Sequence, residues 1–291
     1  MRLTTKIITG FIGSVFLLSI LFIIGFSFTD RKFNKAGVLF TVVDIPQEKK
    51  SGIQLEHHRV IVFESELPEA DYPVYTFGSE KCGLFLSPVT PAGVVSELFF
   101  PEGMSACIST QMNCDTLIVK IKFDEIRKKY QETDEKEKDF SNTPTARTGI
   151  VFTGFNLYLQ TSQVNIVNQL NNLPVYINNI KTDSILVYST SDIVIDSCKA
   201  NVVTPDLRKN YEKLTITNSA FKTLHLDLDR IHNWNIRDCE IETSNYTGSG
   251  QKNIRLDKHE RGTINWRPKN ENAELNLKFK GDSTQIHFRI Q

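Results

Sequence analysis

The feature that most constrains this chain is a register. From Phe155 to Phe279, apolar-x-apolar strand starts recur at Phe155, Val175, Ile193, Leu214, Trp234, Ile254 and Leu275, in steps of 20, 18, 21, 20, 20 and 21 residues. A second strand start follows about ten residues later in most turns, as in Val164-x-Ile166, Ile185-x-Val187 and Leu224-x-Leu226. Three central turns align position by position: Ile193-x-Ile195-x-Ser197-Cys198-x-Ala200, Leu214-x-Ile216-x-Asn218-Ser219-x-Phe221 and Trp234-x-Ile236-x-Asp238-Cys239-x-Ile241. Stacked strands set equivalent residues about 4.8 Å apart, so apolar positions at period two become continuous interior files. The column Ser197, Asn218, Asp238 falls where a turn needs a short polar side chain. The column Cys198, Ser219, Cys239 asks for something small that tolerates burial. An antiparallel sandwich also spaces its strands at about 8–12 residues, but it does not repeat polar and small positions in columns. The expected fold class is therefore mostly β, with a parallel β-helix of about 20 residues per turn over residues 149–291.

A second segment bears on location. Ile7 to Phe28 runs 22 residues without a charge. A helix of that length, rising about 1.5 Å per residue, spans the roughly 30 Å hydrocarbon layer. It exceeds the roughly 7–15-residue core of a secretory signal, and no small-x-small cleavage site precedes Asp30. The expectation is a basic tail over 1–6 and a single N-terminal transmembrane helix, an uncleaved signal anchor, over 7–30. Positive charge flanks both ends, with Arg2 and Lys6 before the run and Arg31, Lys32 and Lys35 after it. The short tail is the easier end to retain inside, so the C-terminal part is expected outside.

Residues 36–128 read as a β-rich N-terminal region that would serve as a cap, with strands at Val38–Val43, Val60–Phe63, Val74–Phe77, Leu84–Leu86 and Leu117–Phe123. Pro and Gly clusters punctuate them. Asp124–Asp139 is dense in Glu, Lys and Asp and offers a short polar helix, Ser141–Thr148 reads as a loop, and the favoured reading of the charge run is a solvated connection, with residues 129–148 as a charged linker. Lys plus Arg and Asp plus Glu are both 34, so net charge is zero. That gives no support for nucleic acid as a partner, because phosphate binding needs clustered excess positive charge. Five cysteines at irregular spacing make no disulfide framework. Cys107 and Cys114 read as packed thiols. Cys198 and Cys239 would lie two rungs, roughly 9–10 Å, apart, beyond disulfide reach.

The anchor ending Gly25-Phe26-Ser27-Phe28-Thr29-Asp30-Arg31, followed by strands and a polar-capped ladder, resembles exported or membrane-anchored proteins of Bacteroidetes-type bacteria that carry an auto-transporter adhesin head (GIN-type) β-helix domain. The resemblance covers the anchor and residues 150–291. It implies an adhesive or structural β-helix and carries no catalytic residue onto this chain.

One constellation stands out: Leu224-His225-Leu226-Asp227-Leu228-Asp229. On a strand the leucines face inward, and His225, Asp227 and Asp229 share the outer face about 6.6–7 Å apart. Two carboxylates so placed fit a Ca²⁺ ion, given help from a neighbouring rung. The plain alternative is a solvated polar face. Glu56-His57-His58 puts adjacent histidines on opposite sides of a strand, unsuited to one ion. Trp234 and Trp266 match the inward phase and read as core. No Gly-rich phosphate loop and no Gly-x-Ser-x-Gly motif is present. The expected protein is a non-enzymatic, single-pass bacterial inner-membrane protein whose periplasmic part presents a rigid ladder face to glycan, peptidoglycan or protein. Two alternatives stand beside it: a calcium-dependent polysaccharide lyase, and a cytoplasmic bactofilin-like scaffold.

Overall fold

The computed structural model describes residues 38–46, 49–66, 74–78, 82–89, 96–130, 147–170, 172–208, 211–256 and 262–279. The first strands are β1 (Val38–Asp44), β2 (Lys50–Gln54), β3 (Val60–Ser65), β4 (Val74–Phe77), β5 (Gly83–Ser87), β6 (Glu97–Pro101), β7 (Ile108–Asn113) and β8 (Thr116–Ile121). A 3-10 turn, Glu102–Cys107, precedes β7, and helix α1 (Phe123–Tyr130) follows β8. Then come β9 (Arg147–Thr153), β10 (Asn156–Gln160), β11 (Val164–Asn168), β12 (Val175–Asn178), β13 (Lys181–Ser189), β14 (Ile193–Asp196) and β15 (Lys199–Leu207). The chain continues through β16 (Lys213–Thr217), β17 (Ala220–Asp227), β18 (Asn233–Arg237), β19 (Glu240–Gly248), β20 (Gln251–Leu256), β21 (Thr263–Pro268) and β22 (Glu274–Phe279).

Two large sheets carry the core. One runs β18-β16-β14-β12-β5-β10-β6-β2; the other runs β21-β19-β17-β15-β13-β11-β3-β8-β7. From β11 to β19 successive strands alternate between them. Ile195, Ile216 and Ile236 stand in one register file, as their spacing requires. Ile195 and Ile216 are fully buried, each contributing about 1.5–3 kcal/mol by leaving water. The turn column also behaves as its chemistry asks. Asn179, Ser197, Asn218 and Asp238 hold φ of 58°, 55°, 51° and 54°, the left-handed region that short polar side chains enter most cheaply. Behind it, Ser219 Oγ accepts from Cys198 N at 3.0 Å and donates to Thr217 O at 2.7 Å. The small buried column is thus hydrogen-bonded rather than merely tolerated.

The expectation of a single transmembrane helix followed by a continuous parallel β-helix is corrected on both counts. Among the described residues the strands form four sheets, and the two large ones mix parallel and antiparallel pairs: β6 runs antiparallel to β10 and β2, and β7 antiparallel to β8. N-terminal strands enter the ladder. β5 lies between β10 and β12, with Leu84 beside both Leu157 and Val175, and β3 lies between β11 and β8. At the far end β20 does not continue beyond β18. It pairs with β22 in a separate two-stranded sheet, with Ile254 opposite Leu277 rather than Leu275. The physical reason is that Gly83–Ser87 presents the same period-two pattern as a ladder strand, and periodicity cannot say which segments become neighbours.

The segment 7–30 lies outside the described residues. Among the described residues no helix is long and apolar enough to cross a membrane. The single-pass inner-membrane placement is therefore corrected, since no spanning helix supports it. Cys107 is buried and Cys114 exposed at φ 52°, and both are free. Only the first packs as expected; Cys114 occupies the tight turn joining β7 to β8.

Candidate surface groove and its neighbouring charge cluster

Each long strand of the second sheet carries a phase slip. In β15, Ala200 is buried, Asn201 and Val202 both face away from the core, and Val203 is buried again. The same slip occurs at Lys222–Thr223 in β17 and Glu242–Thr243 in β19. Register pairing passes from Thr182↔Ala200 to Ser184↔Val202, leaving Asp183 and Asn201 outside the ladder. It does likewise around Lys222 and Glu242. One extra residue bends a strand locally, and bends stacked on adjacent strands make an elbow. Along that elbow lies an open groove of about 1010 Å³. It crosses β11, β13, β15, β17 and β19, roughly 19 Å at about 4.8 Å per strand.

The groove wall mixes polar side chains with apolar ones such as Val164, Leu186 and Ala220. One ladder column runs Lys181, Lys199, Ala220, Glu240, and the elbow column runs Asp183, Asn201, Lys222, Glu242. Arg59, Gln163 and Asn165 close the end nearest β3. Asn201 Nδ2 donates to Asp183 Oδ1 at 3.0 Å. Sequence reading missed these residues, yet they carried a signal. Lys181, Lys199 and Glu240 sit two residues past the left-handed positions Asn179, Ser197 and Asp238, and the elbow residues sit four past. Turn and groove are thus phased together.

His225 and Asp227 lie on the outward phase of β17, Asp229 falls in the turn that follows it, and none of the three lines the groove. His225 Nδ1 lies 3.4 Å from Asn245 Nδ2, and Asn265 Nδ2 donates to Asn245 Oδ1 at 2.8 Å. These three bound a separate cavity of about 120 Å³. Burial, with help from the Arg267 charge, lowers the pKa of His225. The two carboxylates already have cations. Lys269 Nζ is 2.6 Å from Asp227 and 3.1 Å from Asp229, and Lys252 Nζ is 2.8 Å from Asp229. Arg230 bridges Asp206 at 2.5 Å. Desolvation is the largest influence on Asp229 and pushes its pKa up, but Lys252, the Ser249 amide and Lys269 together outweigh it and hold the carboxyl well below the usual range. On Lys269 desolvation likewise opposes, and Asp227 and Asp229 win, raising its pKa. A calcium ion here would have to displace two ammonium groups. Among the described residues no three His, Cys, Asp or Glu side chains are gathered as a metal cluster.

No family model matches the chain, and no curated protein matches it. Solved structures do. The chain is similar to a candidate adhesin from Bacteroides fragilis, at 12% identity and a TM-score of 0.42, over 85% of this chain and 100% of that one. It is similar to a candidate lipid-binding protein from Parabacteroides distasonis, at 8% identity and a TM-score of 0.35, over 86% and 100%. A candidate adhesin from Parabacteroides merdae aligns at 10% identity and a TM-score of 0.31, over 86% and 99%. No GIN-type β-helix family is matched. Likeness at this level assigns neither family nor activity.

The remaining residues singled out by sequence are structural. His58 is buried, and its Nδ1 donates to the Glu56 carbonyl at 2.6 Å. Trp234 and Trp266 are partly buried against the core, Trp234 stacking on Tyr246 at 6.1 Å. On the outer face of the other sheet, Phe99, Tyr158, Phe85 and Tyr176 stand in one register row. Phe85 stacks on Tyr158 at 5.2 Å and on Tyr176 at 4.8 Å, and Lys50 Nζ sits 3.5 Å from the centre of the Tyr158 ring. Ring faces spent on one another are not free to stack on a sugar.

Proposed function

We propose that this protein is a non-enzymatic binding protein, and that the elbow groove receives an extended glycan. The single observation that carries this reading is the groove itself: a trough of about 1010 Å³ crossing five strands, whose lining positions recur in register from strand to strand. The strands offer side-chain positions to an extended chain at one regular step, and a rigid wall spares the ordering cost that a loop-built site incurs on binding. Amide and hydroxyl side chains at Gln163, Asn165, Ser184 and Asn201 supply donors and acceptors for sugar hydroxyls. The role is structural or adhesive attachment by that face.

The test is a glycan array probed with the purified protein and with Asn201→Trp, which fills the middle of the groove. The wild type is expected to retain one class of linear glycan and the variant to lose it with an unchanged circular dichroism spectrum. Equal retention by both proteins would remove the groove from the binding function.

A further inference from the structure

The charges of the groove differ from those elsewhere on the same face. Around Asp227 and Asp229 every cation is paired: Arg230, Lys252 and Lys269 each touch a carboxylate. In the groove, Arg59, Lys181, Lys199 and Lys222 have no ion-pair partner within 4.0 Å among the described residues. Lys181 and Lys199 are direct register partners on adjacent strands. Like charges directly opposite one another in a ladder repel and destabilise it, and the acid beside them in the groove, Asp183, is bonded to Asn201 rather than to either lysine. An anion seated between them would relieve that cost. At the other end of the trough Glu240 follows in the lysine column, and Glu242 follows Lys222 in the elbow column.

We infer that the groove is selective for an acidic glycan, whose successive carboxylates lie against Arg59, Lys181, Lys199 and Lys222 and whose charged stretch stops short of Glu240 and Glu242. This rests on the groove being the glycan site and adds the charge and direction of the ligand. Three observations narrow the class. The groove floor offers no open strand edge, because the edges of this sheet are β21 and β7; a peptide therefore cannot add as a strand. The one ring beneath the groove, Phe221, is 3% exposed, so single-stranded nucleic acid would lack the stacking platform it uses. The glutamates disfavour charge at the far end of the trough, so the best-held part of the ligand is a carboxylate-bearing segment about five strands long, roughly 19 Å between its ends.

The experiment is isothermal titration of the whole chain with hexagalacturonate and, in parallel, uncharged cellohexaose. Each is run against wild type, Lys181→Gln/Lys199→Gln, Glu240→Gln/Glu242→Gln, and Lys213→Gln on the other sheet as a control. Hexagalacturonate is expected to bind at least tenfold tighter than cellohexaose and to weaken as salt rises. Loss of the lysine pair should cost tenfold or more, loss of the glutamates should tighten binding severalfold, and Lys213→Gln should leave it unchanged. The gain in the glutamate variant cannot arise from misfolding. If cellohexaose binds as well and the lysine variant is silent, the acidic preference is overturned while the groove reading survives. If neither hexaose binds, both are overturned.

Discussion

Ile216→Ala tests whether the file of isoleucines carries the fold. Ile216 has no exposed surface and sits in register between Ile195 and Ile236. The substitution deletes three carbon groups. At about 0.8 kcal/mol per buried CH₂ the transfer loss is about 2.4 kcal/mol. A void then adds about 24 cal/mol per Å³ that the neighbours fail to fill. The neighbouring strands are pinned by their own ladder hydrogen bonds, so collapse is limited and the total is about 3–4 kcal/mol, within the usual range of about 2–5 kcal/mol for such truncations. Thr215, one residue away, faces outward in register with Val194 and Asn235; its replacement by Ala should cost about 0.5 kcal/mol or less. Urea unfolding followed by circular dichroism reads the difference. With a denaturant slope of about 3 kcal/mol/M, Ile216→Ala moves the midpoint down by roughly 1 M and Thr215→Ala hardly at all. Midpoints that fall together for the two variants would refute the inward file as the source of stability.

Two further outcomes follow from local geometry. Asn218 holds φ 51° and donates Nδ2 to Asp196 Oδ1 at 2.9 Å; Asn218→Val should lower stability by about 1–2 kcal/mol through left-handed strain, whereas Asn218→Gly should cost only a few tenths of a kcal/mol, and thermal unfolding giving equal losses would deny the strain. The Asp229–Lys269 pair has a depressed acid and an elevated base. Its contribution is present above the unfolded carboxyl value of about 3.9 and below the unfolded amine value of about 10.4. It is lost as pH falls through the folded Asp229 value, or rises through the folded Lys269 value. The melting temperatures of wild type and Asp229→Asn should therefore differ at pH 7 and converge in acid, and a gap that persists at pH 1 would contradict the pairing.

The sequence by itself determined the local periodicities. The apolar-x-apolar starts placed Ile195, Ile216 and Ile236 in one file, and the polar column foretold turns at Ser197, Asn218 and Asp238, because side-chain alternation and turn chemistry are properties of a few adjacent residues; the left-handed φ of those turns came from the structure. The outward phase of His225 and Asp227 was legible for the same reason, whereas the strand ends at Asp227 and leaves Asp229 in a turn. Tertiary structure alone decided the neighbours. Leu84 and Leu86 look like any ladder strand, and only pairing energies summed over the whole sheet slot β5 between β10 and β12 and send β20 to β22. The same holds for charge. Nothing near Asp229 in the chain names Lys252 or Lys269 as its partners, and nothing near Lys181 says that Lys199 will face it without an ion pair, because Coulomb interactions depend on distances that folding sets between residues far apart in the chain.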